Sequence, residues 1–290
     1  MTLDSSWFSE ICSERGSAFS LKITEKLHAE KSEFQYIEIF QTEAFGKLMA
    51  IDGFTMLSSF DNFFYHEMLA HPALFTHDAP QKILFIGGGD CGTLREVLQH
   101  ECAKEVQQVD IDERVTRLSE QFFPELCASN NDPRASLYFD DGIKWVKNAK
   151  AGEYDLIIID STDPIGPAEG LFTEKFYHDC HRALGDNGIL VQQSESPLFH
   201  MDIIKPMRDA MYSAGFPSQL TINFPQCIYP SGWWSATLSG KNKTALKKFR
   251  QKDVDQRSFE TRYYNSAIHR AAMAQPEFML KELRVSGKVQ

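Results

Sequence analysis

The chain has 290 residues, a net charge of -10, and 42% hydrophobic and 24% charged residues. That composition belongs to a globular protein with one large domain, or one domain with a small appendage. The acidic balance argues against a nucleic-acid or anionic-membrane surface, and no apolar stretch approaches the roughly 20 residues that span a bilayer.

In chain order, residues 18 to 57 hold short runs of strand character: 19 to 23, 34 to 40, 47 to 51 and 54 to 57. Gly46 and the hairpin pair Asp52-Gly53 punctuate them, so residues 1–60 are expected to form a small antiparallel β domain. From Asn62 to Phe75 the pattern turns helical, and then a strand–helix rhythm begins. Strands are expected at 82 to 86, 105 to 111, 136 to 139, 154 to 160 and 188 to 193. Helices are expected from Thr93, at 113 to 122, from Gly142, at 174 to 184 and at 203 to 214. Such alternation gives an α/β, doubly wound, mostly parallel sheet over 61–290. Runs at 219 to 224 and 233 to 238 have no crossover helix between them and should form an antiparallel hairpin at the sheet edge. The charged stretch 241 to 257 reads as an exposed helix, and the tail is helix-prone. The start, Met1 to Ser6, lacks the regions of a signal peptide, and six cysteines are dispersed without a Cys-x-x-Cys pair. These point to a cytoplasmic protein with reduced thiols. His178, Cys180 and His181 lie close together, but nothing else supplies a metal-site spacing, so no metal is expected.

Gly87-Gly88-Gly89-Asp90-Cys91-Gly92 satisfies Gly-x-Gly-x-x-Gly between a strand and a helix. Its glycines allow a tight turn and close backbone approach to a ligand. About twenty residues on, the second strand of this region ends in Asp110-Ile-Asp112, where an acid can grip a ribose diol. The spacing implies a nucleoside site. Asp90 opposes a pyrophosphate but suits a sulfonium or an ammonium, which disfavours NAD or FAD. Asp141-Gly142 follows the third strand, where an acid could take the exocyclic amine of adenine. The run from Tyr154 to Asp160 carries four consecutive apolar residues, Leu156 to Ile159, so both faces should be covered. It ends on Asp160, and Asp163 follows in a loop holding Pro164 and Pro167. Ligands of open α/β sheets bind outside the carboxyl ends of their strands. Two acids there favour a cationic co-substrate.

Several stretches together resemble the spermidine synthases, of the aminopropyltransferase family. They are Trp7-Phe-Ser-Glu10, Asp52-Gly53, Tyr65-His-Glu-Met68, Ile86 to Asp90, Asp110-Ile-Asp112, Asp141-Gly142 and Asp160-Ser-Thr-Asp-Pro-Ile-Gly-Pro167. Tyr229-Pro-Ser-Gly232, Tyr263-Tyr-Asn-Ser266 and His269-Arg-Ala-Ala272 complete the set. The resemblance implies a Rossmann-like, class I methyltransferase-like sheet and a homodimer. It also implies transfer of an aminopropyl group from decarboxylated S-adenosylmethionine to a diamine, usually putrescine. That co-substrate would need no metal or other cofactor. By motif position, Asp160 would be the base, with Tyr65 beside it. Asp90 would hold the aminopropyl ammonium, Asp110 the ribose and Asp141 the adenine, with Gln35, Gly87, Gly89 and Gly142 also around the nucleoside. Asp163, Tyr229, Glu195 and His66 would surround the diamine, and Trp7 would wall its far end.

Several residues depart from the family pattern. Cys91 stands for a glycine, Asp110 for a glutamate and Met56 for a glutamine. His66 replaces a frequent glutamine, and Trp233 and Trp234 follow the Tyr229 motif where smaller or polar residues are usual. Other acceptors (cadaverine, agmatine, spermidine) and a non-catalytic nucleoside- or polyamine-binding paralogue are the alternatives. Tyr65 and Tyr229 have packing roles as their competing readings, and Asp112 reads better as a helix cap than as a ligand.

Overall fold

The structure, a computed structural model, describes residues 3–164 and 166–284. Met1, Thr2 and Ile165, which belong to the readings of the chain start and the loop motif, lie outside the described residues, as does the end of the tail.

Five strands open the chain: β1 (Trp7–Cys12), β2 (Ser17–Lys31), β3 (Tyr36–Thr42), β4 (Lys47–Ile51) and β5 (Phe54–Ser58). They form an antiparallel meander in sequence order. Asp52 and Gly53, with φ of 51 and 86°, make the tight β4–β5 turn, because two positive-φ residues match the twist of a hairpin. Alternation divides the buried side chains between the two faces of this sheet. Ile37, Ile39, Met49 and Ile51 pack with Val115, Leu118 and Phe123. Phe8, Phe40, Leu48 and Ala50 pack with Ile228 on the other side. The sheet is thereby anchored to two separate parts of the chain that follows. Strand β1 is not expected from sequence: Ser9 and Glu10 break its apolar pattern.

Next come α1 (Asn62–Thr76), β6 (Lys82–Gly87), α2 (Gly92–Leu98), β7 (Glu105–Asp110), α3 (Glu113–Phe122), β8 (Ala135–Phe139) and α4 (Gly142–Asn148). They are followed by β9 (Tyr154–Asp160), α5 (Glu174–Ala183), β10 (Leu184–Gln193), α6 (Met201–Ser213), β11 (Ser218–Pro225) and β12 (Trp233–Gly240). The seven strands β6–β12 run in the order β11-β12-β10-β9-β6-β7-β8. Strands β10, β9, β6, β7 and β8 are mutually parallel, whereas β12 and β11 add as the antiparallel hairpin expected at one edge. Leu156 and Ile158 face one apolar layer, with α1 and α2, and Ile157 and Ile159 face the other, with α5 and α6. This two-sided cover explains a strand with no polar alternation. Strand β6 pairs with β9 on one side and β7 on the other. The strand order therefore reverses at β6, where such sheets open a crevice.

The 241–257 stretch departs from expectation. Only α7 (Gln251–Asp255) is helical there, and Leu246 and Val254 are buried in the core. Its Arg250 side chain donates from Nη2 to the Leu74 carbonyl at 2.8 Å and from Nε to the His77 carbonyl at 3.1 Å. A charged residue thus satisfies the unpaired carbonyls at the end of α1. Helices α8 (Ser266–Ala272) and α9 (Glu277–Arg284) end the fold. Residues 166–172 form a short 3-10 helix where the sequence suggested only a loop.

Candidate active site

The crevice at the β6 reversal holds a cavity of about 270 Å³. One wall comes from the N-terminal sheet through Gln35, Met49 and Met56, the other from the carboxyl ends of β6, β7 and β9. A second cavity of about 110 Å³ opens beside it, lined by Glu10, Thr55, Gln193, His200 and Trp234. Both cavities share Met56, Tyr65, Thr162, Asp163 and Tyr229 as a common wall.

Asp160 sits at the end of β9, and its carbonyl accepts the Gly88 N–H at 2.8 Å. That bond ties the acid to the glycine loop. Tyr65 donates its hydroxyl to Asp160 Oδ1 at 2.7 Å, and Thr93 donates to Oδ2 at 2.8 Å. Burial, then the nearby Asp90, pushes the Asp160 carboxyl up to about 6, against the pull of its two hydroxyl donors. Thr93 was missed from sequence, although its place just after Gly92, in the first turn of α2, was the available signal.

Asp90 accepts the Gly92 N–H at 2.7 Å and faces His66 Nε2 at 3.2 Å. Burial acts to raise the Asp90 carboxyl, but His66 and the Gly92 amide outweigh it and hold it below the usual range. His66 itself lines neither cavity. Its ring lies beneath the glycine loop, where a Cβ added at Gly92 would fall 2.1 Å from it. The structure therefore places His66 behind Asp90 rather than among the shared-wall residues. Cys91 takes the left-handed conformation, φ 64°, so the loop keeps a glycine-like turn despite the side chain.

Asp110 ends β7 and lines the larger cavity, as do Gly87, Gly89, Asp141 and Gly142. Gly89 is fitted tightly: an added Cβ would stand 2.9 Å from Asp110 Oδ2. Asp112 caps α3, accepting the Arg114 N–H at 3.0 Å, and also accepts Gln35 Nε2 at 2.9 Å. This links the N-terminal sheet to the cavity floor. Asp141 caps α4 through Oδ1, at 2.9 Å from the Ile143 nitrogen, while lining the cavity.

Around the smaller cavity, Tyr229 gives its hydroxyl to the Met56 carbonyl at 2.7 Å, so its ring is what faces Tyr65, 5.9 Å away. Asp163 lines both cavities. Glu195 is fully buried and lines neither. Trp7 also lines neither, because alternation along β1 sends Phe8 and Glu10 inward. Strand β1 instead brings Glu10, Ile11 and Cys12 to this cavity, and Glu10 accepts the Thr55 N–H and hydroxyl, both at 2.7 Å. A period-two reading of residues 7 to 12 was the signal for it.

Burial also pushes the Asp110 carboxyl up to about 6, with Asp112 adding repulsion. An acid whose folded pKa exceeds its unfolded value adds stability that is complete below the unfolded pKa and lost as pH rises through the folded one. The ligand-free protein should therefore lose about 3 kcal/mol from Asp110 between roughly pH 4 and pH 7. Asp110→Asn should flatten that part of the pH dependence of urea unfolding. An unchanged slope would contradict the assignment.

Residues 62–249 match the family model described as "Spermine/spermidine synthase domain", and residues 6–58 match "Spermidine synthase tetramerisation domain". A polyamine aminopropyltransferase of Nitrosococcus oceani is 63% identical over 273 residues, covering 94% of this chain and 95% of that relative. One from Thioalkalivibrio sulfidiphilus is 60% identical over 284 residues, covering 98% of this chain and 99% of its own. A solved spermidine synthase in complex with the transition-state analogue AdoDATO superposes with a TM-score of 0.93 at 34% identity, covering 98% and 97% of the two chains. Spermidine synthase from Thermotoga maritima gives 0.91 at 35%, covering 96% and 94%.

Proposed function

The chain belongs to the spermidine synthase family and is an aminopropyltransferase, and we propose that its acceptor is a short diamine, putrescine first. The observation that carries this reading is the pair of unequal cavities meeting at Tyr65, with Asp160 bonded to its hydroxyl. The larger suits a nucleoside; the smaller, about 110 Å³, suits a short aliphatic chain with charged ends.

Decarboxylated S-adenosylmethionine would occupy the larger cavity, with adenine by Asp141, ribose on Asp110 and the aminopropyl ammonium on Asp90. The neutral amine of the acceptor attacks the carbon beside the sulfonium. An N–C bond forms, the C–S bond breaks, and methylthioadenosine leaves as a neutral thioether. The attacking amine must first shed a proton held with a pKa of about 10.4 in water. Asp160 would accept it. A direct displacement of this kind asks for no metal and no covalent intermediate. Tyr65, buried and donating to Asp160, keeps its own proton, since burial and the neighbouring carboxylate both raise its phenol. Its role is to aim the carboxylate.

The N-terminal sheet carries the matched tetramerisation region, and we propose self-association through it. No helix among the described residues is long and apolar enough to cross a membrane. Incubation with decarboxylated S-adenosylmethionine and a panel of putrescine, cadaverine, agmatine and spermidine tests the acceptor. The highest kcat/KM for methylthioadenosine release is expected with putrescine. A higher value for another amine would overturn that choice.

A further inference from the structure

We propose that Asp163 and Glu195 share one proton in the ligand-free protein, and that seating of the acceptor's ammonium expels it through His200. The inference rests on the reading of the smaller cavity as the diamine site.

The two carboxyl groups lie in hydrogen-bond contact. Two ionised carboxylates have only acceptors between them, so that contact requires a proton, and like charges so close cannot both ionise. Glu195 is fully buried and takes a left-handed backbone, φ 65°, a strained conformation that surroundings must enforce. Here they do. Its N–H donates to Gln193 Oε1 at 3.2 Å, its carbonyl accepts the Ser235 hydroxyl at 2.9 Å, and Oε1 accepts Gln193 Nε2 at 3.1 Å. The strained turn presents the carboxyl to Asp163 on one side and to His200 on the other.

Glu195 Oε2 stands 3.3 Å from His200 Nδ1, and neither atom is in an aligned hydrogen bond among the described residues, so each is left facing the other. The imidazole lines the cavity and is 19% exposed, so it reaches from the buried acid to solvent. The charged groups facing it are Asp163, Glu195, Asp202, Arg15 and Glu14, with Glu10 across the cavity. Burial holds the imidazole below its usual range, which keeps it neutral and able to accept a proton. Burial, with Glu195 beside it, pushes the Asp163 carboxyl up to about 8.

An arriving ammonium meets a pair carrying one negative charge and stabilises a second. The carboxyl O–H bond breaks and an Nδ1–H bond forms. The Nε2 proton then leaves to water, restoring a neutral ring. The balance is one cation bound and one proton released. Acceptor affinity should accordingly rise with pH, by at most about tenfold per unit, until the pair is fully ionised.

Calorimetry of putrescine binding to the full chain saturated with methylthioadenosine, near pH 7 in phosphate and in Tris, reads the released protons. Glu195→Gln should release about one proton fewer than the unaltered chain. That difference isolates the pair from any proton lost by the amine itself. Asp163→Asn serves the same purpose if the first variant fails to fold. Equal release in both proteins, or heats independent of buffer, would overturn the shared proton alone. No putrescine-dependent heat would overturn the diamine reading and this inference with it. In His200→Gln, release followed with a pH dye in stopped flow should slow tenfold or more; release at the unaltered rate would remove His200 from the path.

Discussion

Replacing Asp160 with Asn should lower kcat by about 10²–10⁴-fold, the range that general-base assistance contributes. The amide fills the same space, and its one oxygen can still accept from Tyr65 or Thr93, which donate to the two carboxylate oxygens at 2.7 and 2.8 Å. Its NH2 can only donate to the other hydroxyl. What it cannot do is take a proton. The loss should fall on turnover, with KM for decarboxylated S-adenosylmethionine nearly unchanged, because the proposed holds on that co-substrate are Asp110 for the ribose and Asp90 for the aminopropyl ammonium, not Asp160. The pH profile sharpens the test. With its carboxyl at about 6 in the ligand-free protein, Asp160 is protonated below that pH, so kcat/KM, which reports the free enzyme, should have an acid limb there. That limb should vanish in the variant, whereas a limb belonging to Asp90 or to the acceptor would persist. Single-turnover formation of methylthioadenosine measures the chemical step directly. A variant with near-normal turnover would remove Asp160 as the base.

Much of the fold was legible because β6–β10 obey simple rules. Leu156 to Ile159 has no polar alternation, and the structure covers it on both faces. The glycine loop lies where a strand becomes a helix, and β6 proves to be the strand at which the order reverses. What escaped the sequence reading was set by long-range contacts. Strand β1 is held by pairing with β2, and its Glu10 is inward only because Phe8 is. The charged stretch after β12 folds inward because Arg250 finds bare carbonyls at the end of α1. The tail motif Tyr263-Tyr-Asn-Ser266 lies outside both cavities. Buried Glu67 accepts the backbone N–H groups of Arg262, Tyr263 and Tyr264 at 2.7, 2.9 and 2.7 Å. A family-specific motif can therefore be a clamp on α1. The acids at strand ends were visible as acids, but not the division among them. Asp112 and Asp141 spend oxygens on helix caps, while Asp160 is held by side-chain hydroxyls. That division depends on which backbone N–H groups are left unpaired nearby, which spacing alone does not encode.

Gly87→Ala should damage both folding and turnover, and Gly53→Ala supplies the control that says why. Both glycines have positive φ, 84 and 86°. An alanine in that region costs about 1–2 kcal/mol whatever surrounds it. At Gly53 nothing lies within 4 Å of an added Cβ, so only this backbone cost applies. At Gly87 the Cβ would stand 2.2 Å from the Asp160 carbonyl oxygen. Backbone, not a flexible side chain, would have to move. Forced overpacking adds about 1–3 kcal/mol, so Gly87→Ala should unfold in urea with roughly that much less stability than Gly53→Ala. The displaced group is the carbonyl of the very residue proposed as the base, held at the end of β9 beside Gly87. A shift of about 1 Å in a reacting group can cost about 10²-fold. Turnover of Gly87→Ala should fall by that order, while Gly53→Ala keeps its activity. Equal destabilisation of the two variants would mean that β9 yields without cost. In that case the glycine loop would not fix where Asp160 points, and its position would have to come from Tyr65 and Thr93 alone.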